Sequence, residues 1–248
     1  MEPHERSWVR LPLDGAVNVR ELGGYPTLNG SYTEYHRFLR ADGLSRLTMR
    51  DRKFLYDYGV RVVIDLRDAS EATSSPDLSL GKDVEYINIP LLAFNAAEVK
   101  QLEQEFDPET FSMKGIYKRV LQNFEGIRTC MRYIANAPEG CVLFHCAVGK
   151  DRTGILAMLL LMLAGVDKWD IIANYVQTWA NLMRDEVFRE DWNDAARSVF
   201  RDGMTSPAEL IEYAYDLVES VHGSVDDYLL ECGVPDEDAA AVYRRLVG

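Results

Sequence analysis

Cysteine is scarce in this chain: Cys130, Cys141, Cys146 and Cys232 are scattered over 248 positions and form no CxxC pair. A disulfide framework or a cysteine-built metal site needs more of them, closer together. The thiols are therefore read as reduced, with one of them available for chemistry. Long apolar runs are also missing. The longest, residues 155–164, is far short of the roughly 20 residues that cross a bilayer. It reads as a buried helix, and no integral membrane association is expected. Residues 1–14 lack the apolar centre of a signal peptide and carry charges at Glu2, Glu5, Arg6 and Arg10, so a cytoplasmic location is expected. Positive charge is in deficit, with 27 Lys and Arg against 40 Asp and Glu and a formal net charge of -13. Such a balance argues against nucleic acid as a partner and means that an anionic ligand would need a local positive pocket.

What is present is the composition of a globular protein able to bury a core, 47% hydrophobic and 27% charged, with no break between halves. One domain over residues 1–248 is expected. Oligomeric state is not legible. Helix and strand signals alternate, as in an α/β protein. Thr48 and Asp51 can cap a helix carrying Phe54, Leu55 and Tyr58, which Gly59 can end. Residues 60–66 then read as a buried strand with polar residues at its carboxyl end, the edge where open α/β sheets bind ligands. A second strand is expected at 84–89 and a helix at about 127–137, with Ile127, Met131 and Ile134 on one face. Residues 141–144 form a short apolar strand, the helix after Arg152 stops near Gly165, and Asp167 caps the next, 168 to about 182. Ser224 and the Gly233-Val234-Pro235 break point to two short C-terminal helices. The helical, charged segments 95–123 and 184–221 fit the sheet poorly and read either as a lid or as ordinary solvated helices.

The chemistry concentrates in His145-Cys146-Ala147-Val148-Gly149-Lys150-Asp151-Arg152-Thr153-Gly154, between an expected strand and an expected helix. A tight turn leading into a helix N-terminus is an anion site, because successive backbone N–H groups and the helix dipole converge on it. Thiols in such electropositive settings ionise more readily than free cysteine, which makes Cys146 the candidate nucleophile. Arg152 can hold two phosphate oxygens with its planar fork, which a lysine would do less specifically. Residues 147–153 would line the phosphate. Within them, Thr153 can donate to the sulfur, Gly149 can take positive φ, and His145 can orient the loop.

These residues resemble the signature loop of the cysteine-based protein tyrosine phosphatases, and the GKDRTG form resembles that of bacterial members with dual or triple specificity for proteins and lipids. Asn18-Val19-Arg20-Glu21-Leu22-Gly23-Gly24, Arg40-Ala41-Asp42, Asp65-Leu66-Arg67 and residues 224–229 resemble further motifs of that family in order. The resemblance implies a mostly parallel central sheet flanked by helices, no metal or other cofactor, and two-step hydrolysis through a phosphocysteine. The substrate it implies is a phosphotyrosine-containing protein or a phosphoinositide.

Expelling the alcohol also needs a general acid. Asp65, at a strand end and at a family position, is preferred, followed by Asp151 inside the loop and then Asp107; pairing of Asp65 with Arg67 or Arg20 is its structural alternative. Lys150 is read either as a partner for a second phosphate on a phosphoinositide or as a partner of Asp151 alone. Two rival functions remain: a phosphoinositide phosphatase with little protein activity, and a phospho-ligand binder without turnover. A sulfurtransferase also keeps a cysteine in an anion loop, but the His-Cys-x5-Arg-Thr order is the phosphatase form.

Overall fold

The computed structural model describes residues 9–92, 112–186 and 205–248. Thr48 accepts from the Asp51 backbone N–H while Asp51 accepts from that of Thr48, a capping box that starts helix α1, Met49–Asp57. Gly59, with φ of 104°, then turns the chain into β3, Val60–Asp65. Strands β1 (Arg20–Glu21), β2 (Phe38–Ala41), β4 (Glu85–Asn88) and β5 (Cys141–His145) complete a sheet of order β1-β2-β5-β3-β4. Only the β1–β2 pairing is antiparallel; β2, β5, β3 and β4 run parallel. The architecture is mixed α/β with a mostly parallel sheet between helices.

Strand alternation sorts the core into two layers. Val62, Ile64, Val142 and Phe144 face one side and pack with the larger set of helices. Leu39, Val63 and Leu143 face the other, against Leu44, Leu55 and Tyr58. The centre of the first layer is α5, Asp151–Leu163, buried from Thr153 onward. A helix apolar all round must be enclosed, and it is: α3 (Met113–Gln122), α6 (Lys168–Leu182), α7 (Ala208–Leu217), α8 (Val225–Glu231) and α9 (Asp236–Val247) all pack against it. Truncating Leu159 or Leu160 inside it would cost about 2–5 kcal/mol.

The expected elements are found with small shifts. The helix expected from 127 starts three residues earlier, as α4, Phe124–Ala135, because the Asn123 side chain caps it by accepting from the Gly126 N–H. The strand expected at 84–89 is Glu85–Asn88. Of the two segments read as lid or solvated helix, residues 95–111, with Asp107, and 187–204 lie outside the described residues. The described parts include α3 and α7, which pack on each other. Among the described residues no helix is long and apolar enough to cross a membrane.

The pairing register decides where chemistry can gather. Ala41 lies opposite His145, and His145 opposite Asp65. Parallel strands thus bring the ends of three sequence motifs to one edge of the sheet.

Candidate active site

The turn from β5 into α5 consists of Cys146, Ala147, Val148, Gly149 and Lys150. Gly149 has φ of 72°, and a Cβ there would stand 2.4 Å from the Ala41 carbonyl oxygen, so neither the conformation nor the space admits a side chain. The carbonyls of the turn are tied down from below. Asn18 Nδ2 donates to those of Val148 (3.0 Å) and Gly149 (3.2 Å). Arg40 Nη2 donates to those of Gly149 (2.8 Å) and Lys150 (3.4 Å). In a trans peptide the N–H points opposite to the C=O, so the N–H groups of Gly149, Lys150 and Asp151 face away from Asn18 and Arg40. The turn is thereby held in the shape that an anion site would need.

Asn18 is fixed in turn. The Asp42 carboxylate accepts from the N–H groups of Val17 and Asn18, both at 3.0 Å, and Arg20 Nη1 donates to Asn18 Oδ1 at 2.5 Å and to its carbonyl at 2.9 Å. The segments around Asn18 and Arg40 are therefore scaffolding for the turn, a job their sequence does not reveal without the fold.

Around this turn the expected residues fall as follows. Cys146 is 3% exposed. His145 is fully buried, with Nδ1 3.0 Å from the Cys146 carbonyl oxygen and Nε2 2.8 Å from Asp77 Oδ2. Both terminal nitrogens of Arg152 are engaged by Glu71 of α2, Ala69–Ser74: Nη2 meets Oε1 at 2.9 Å and Nη1 pairs with Oε2. Burial alone would lower the Arg152 guanidinium; the Glu71 carboxylate, then the Cys146 sulfur, more than reverse this and push it up. Thr153 Oγ1 is buried without a hydrogen-bond partner among the described residues, so the expected bond to sulfur is not made here.

Asp65 stands at the strand end as expected, but its carboxylate is held by Arg67: Nε is 2.9 Å from Oδ1 and Nη2 is 2.8 Å from Oδ2. Arg67 also pairs with Asp77 at 3.0 Å. Asp65, Asp77 and His145 bring ligand atoms close enough for a metal; the positive charge among them is the Arg67 guanidinium. Lys150 is 1% exposed, with Nζ 3.1 Å from Asp151 Oδ1 and 3.5 Å from the Thr205 carbonyl oxygen. The pairing with Asp151 is thus present. Arg20 lies beneath the turn and does not reach Asp65. Asp151, with its side chain 29% exposed, accepts from the buried Tyr117 hydroxyl at 2.7 Å, which is itself 2.5 Å from that of Tyr175. Cys130, Cys141 and Cys232 are buried away from the loop, and burial pushes each of their thiols up.

Sequence reading missed Glu71, Asp77 and Tyr117. Glu71 carried a signal, the Asp68-x-x-Glu71 capping box; its second role toward Arg152 needed the fold. A cavity of about 280 Å³ opens beside Ala147, lined by Asp42, Ser45, Arg46, Arg67, Glu71 and Ser75 among others. The arrangement offers a sulfur nucleophile, a cradle of N–H groups, a guanidinium and a partly exposed carboxyl at one place.

Residues 11–248 match the family model described as tyrosine phosphatase family. A tyrosine-protein phosphatase of Nostoc commune is 41% identical over 140 residues, 56% of this chain and 47% of that protein; the match thus spans about half of that relative's length. The triple specificity protein phosphatase PtpB of Mycobacterium tuberculosis is 25% identical over 278 aligned positions, covering 95% of this chain and 98% of that protein. Among solved structures, TpbA of P. aeruginosa aligns over 92% of this chain and 97% of its own, with 15% identity and a TM-score of 0.45.

Proposed function

The chain belongs to the tyrosine phosphatase family, and from that premise we propose that it hydrolyses phosphate monoesters, foremost phosphotyrosine in proteins, through a phosphocysteine at Cys146. The observation that carries this reading is the turn from Cys146 to Arg152, whose carbonyls are bound from below by Asn18 and Arg40 so that its N–H groups face the other way. The Cys146 sulfur attacks phosphorus, and the ester oxygen leaves with a proton from a carboxyl group. Water then attacks the phosphocysteine, gives its proton to the same carboxylate and returns the sulfur as thiolate. Arg152 follows the equatorial oxygens. Glu71 engages its two terminal nitrogens, and of the five N–H donors the others remain to meet phosphate.

We assign the proton transfer to Asp151. Asp65 has both oxygens on Arg67 and is better suited to fixing the strand end, whereas Asp151 is partly exposed inside the loop itself. Tyr117 donates to Asp151 Oδ1 and leaves Oδ2 for the proton. The name of the mycobacterial relative supports turnover of more than one kind of phosphoester. The pairing of Lys150 with Asp151 gives no support to that lysine as the reader of a second phosphate. Dual specificity and phosphoinositide turnover are accordingly secondary to phosphotyrosine in this reading. The presence of Cys146, Arg152 and Asp151 together opposes a binding role without turnover.

The test is phosphate release, with excess chelator present, from para-nitrophenyl phosphate, a phosphotyrosine peptide, a phosphoserine peptide and a phosphoinositide. Release from the first two that is lost in Cys146→Ser is expected. Activity that needs a divalent cation, or survives in Cys146→Ser, would overturn the mechanism. Turnover of phosphoinositide alone would move the substrate to lipid.

A further inference from the structure

Burial does not remove the charge of an arginine, and a buried charge is ordinarily met by a carboxylate. Arg20 and Arg40, each 1% exposed, are met by neutral oxygens. Arg40 Nη1 donates to Asn174 Oδ1 at 2.7 Å, and its Nη2 goes to the turn carbonyls described above. Arg20 Nη1 is on Asn18, and its Nη2 donates to the Asn174 carbonyl at 2.8 Å and Thr178 Oγ1 at 2.9 Å. The Nε of each is buried without a hydrogen-bond partner among the described residues. Among the described residues neither makes a salt bridge. The charged or titratable groups around them are the Asp42 carboxyl, Tyr25, Tyr117, Tyr175 and the Cys146 sulfur. Asp42 spends its oxygens on backbone N–H groups and is itself raised by burial. Burial lowers Arg40 to about 10, against the upward pull of Tyr175 and then Cys146. Arg20 is lowered by burial and further by Arg40.

Two like charges are thus held together under the turn at evident cost, with hydrogen bonds that a neutral side chain could have supplied in part. Both connect to the turn, Arg40 directly and Arg20 through Asn18. We propose that Arg20 and Arg40 form a buried cationic platform beneath the phosphate turn, whose counter-charge is the bound oxyanion itself, so that both are positioning residues for the phosphoryl group although neither touches it. The proposal rests on the turn being the phosphate seat. Arg40 also orients the peptide units whose N–H groups face that seat, so its charge and its geometry act in the same direction.

The two contributions can be separated at Asn174, which is buried, accepts from Arg40 through Oδ1 and donates through Nδ2 to the Tyr25 hydroxyl at 2.9 Å. Asn174→Asp keeps the shape and the acceptor for Arg40, and the Tyr25 hydroxyl can rotate to donate to the new oxygen. The substitution adds the missing carboxylate and little else. Tungstate and inorganic phosphate binding is measured by calorimetry in the full chain, with thermal unfolding of the unliganded protein and KM and kcat for para-nitrophenyl phosphate. Asn174→Asp is expected to weaken tungstate binding about tenfold, the scale of one partly screened charge at this depth. KM should rise in parallel while the unliganded protein melts at the same temperature or higher. A folded Asn174→Asp with unchanged tungstate affinity overturns the platform.

Should Asn174→Asp not fold, Arg40→Lys and Arg40→Gln decide: the lysine variant, which keeps the charge, is expected to bind tungstate several times more tightly, and equal affinities overturn the proposal. Wild-type protein that neither binds tungstate nor releases phosphate would instead remove the phosphate-seat reading on which the platform stands. Wild-type binding and turnover matched by Asn174→Asp would remove the platform alone.

Discussion

The mouth and the underside of the phosphate turn treat charge in opposite ways. At the mouth each cation has a carboxylate: Arg152 has Glu71, Arg67 has Asp65 and Asp77, and Lys150 has Asp151. Beneath it, Arg20 and Arg40 hydrogen-bond, among the described residues, only to amide, carbonyl and hydroxyl oxygens. A paired cation offers a ligand little net charge until its partner yields, whereas an unpaired one offers a standing potential that burial keeps from being screened. Division of labour follows. In the proposed reading the mouth supplies geometry and the groups that react, and the underside supplies the constant positive field that a chain of formal net charge -13 must create locally.

The largest effects should come from breaking the mouth. Cys146→Ser removes the ionisable nucleophile and should abolish turnover while retaining oxyanion binding, read by single-turnover assay and calorimetry. Arg152→Lys keeps the charge but not the fork, and should lower kcat/KM about 10²- to 10³-fold in steady-state kinetics. Asp151→Asn should cost about 10²- to 10³-fold on alkyl and phenolic phosphates and less on esters with acidic leaving groups. If Asp65→Asn shows that leaving-group pattern and Asp151→Asn does not, the proton passes through Asp65.

A smaller effect sharpens the contrast between the two regions. Glu71→Gln keeps the shape of the contact to Arg152 and removes its charge, turning a balanced cation into an unbalanced one. Tungstate binding should tighten by roughly three- to tenfold, the opposite sign to Asn174→Asp beneath the turn. Weaker binding would mean that Glu71 acts mainly by ordering Arg152.

The smallest effect is on stability. Glu21, buried beside Tyr58, is raised by burial from 4.5 to about 7, against hydrogen bonds from the Tyr58 hydroxyl and the backbone of His36 and Gly23. A folded pKa above the unfolded one means that its contribution is complete below about pH 4.5 and is lost as pH rises through about 7. Thermal unfolding between pH 5 and 8 should therefore slope downward by a few degrees, and Glu21→Gln should flatten that slope.

These contrasts also show what a sequence can and cannot carry. The turn itself was legible, because His145 to Gly154 is local: a strand, a glycine that cannot bear a side chain and a helix start all lie within a dozen residues. The helix caps at Thr48, Asp167 and Ser224 were legible for the same reason. The partners of the site were not. Glu71 reaches Arg152 across 81 positions and Arg40 reaches Gly149 across 109, distances set by the parallel strand order and invisible to any local pattern. Asp65 was legible as a strand-end carboxylate with two readings, proton donor or partner of Arg67 or Arg20, and its commitment to Arg67 depends on a side-chain direction that the strand position does not give. The burial of Lys150 was likewise not legible in its local sequence.

The most direct test of the account is rapid quenching of the enzyme with a phosphotyrosine peptide, followed by mass spectrometry of the fragment that contains Cys146. A phosphate on Cys146 that forms before phosphate release, and is absent in Cys146→Ser, is the predicted result. Steady turnover with no phosphorylated cysteine, or phosphate found on another residue, would contradict it.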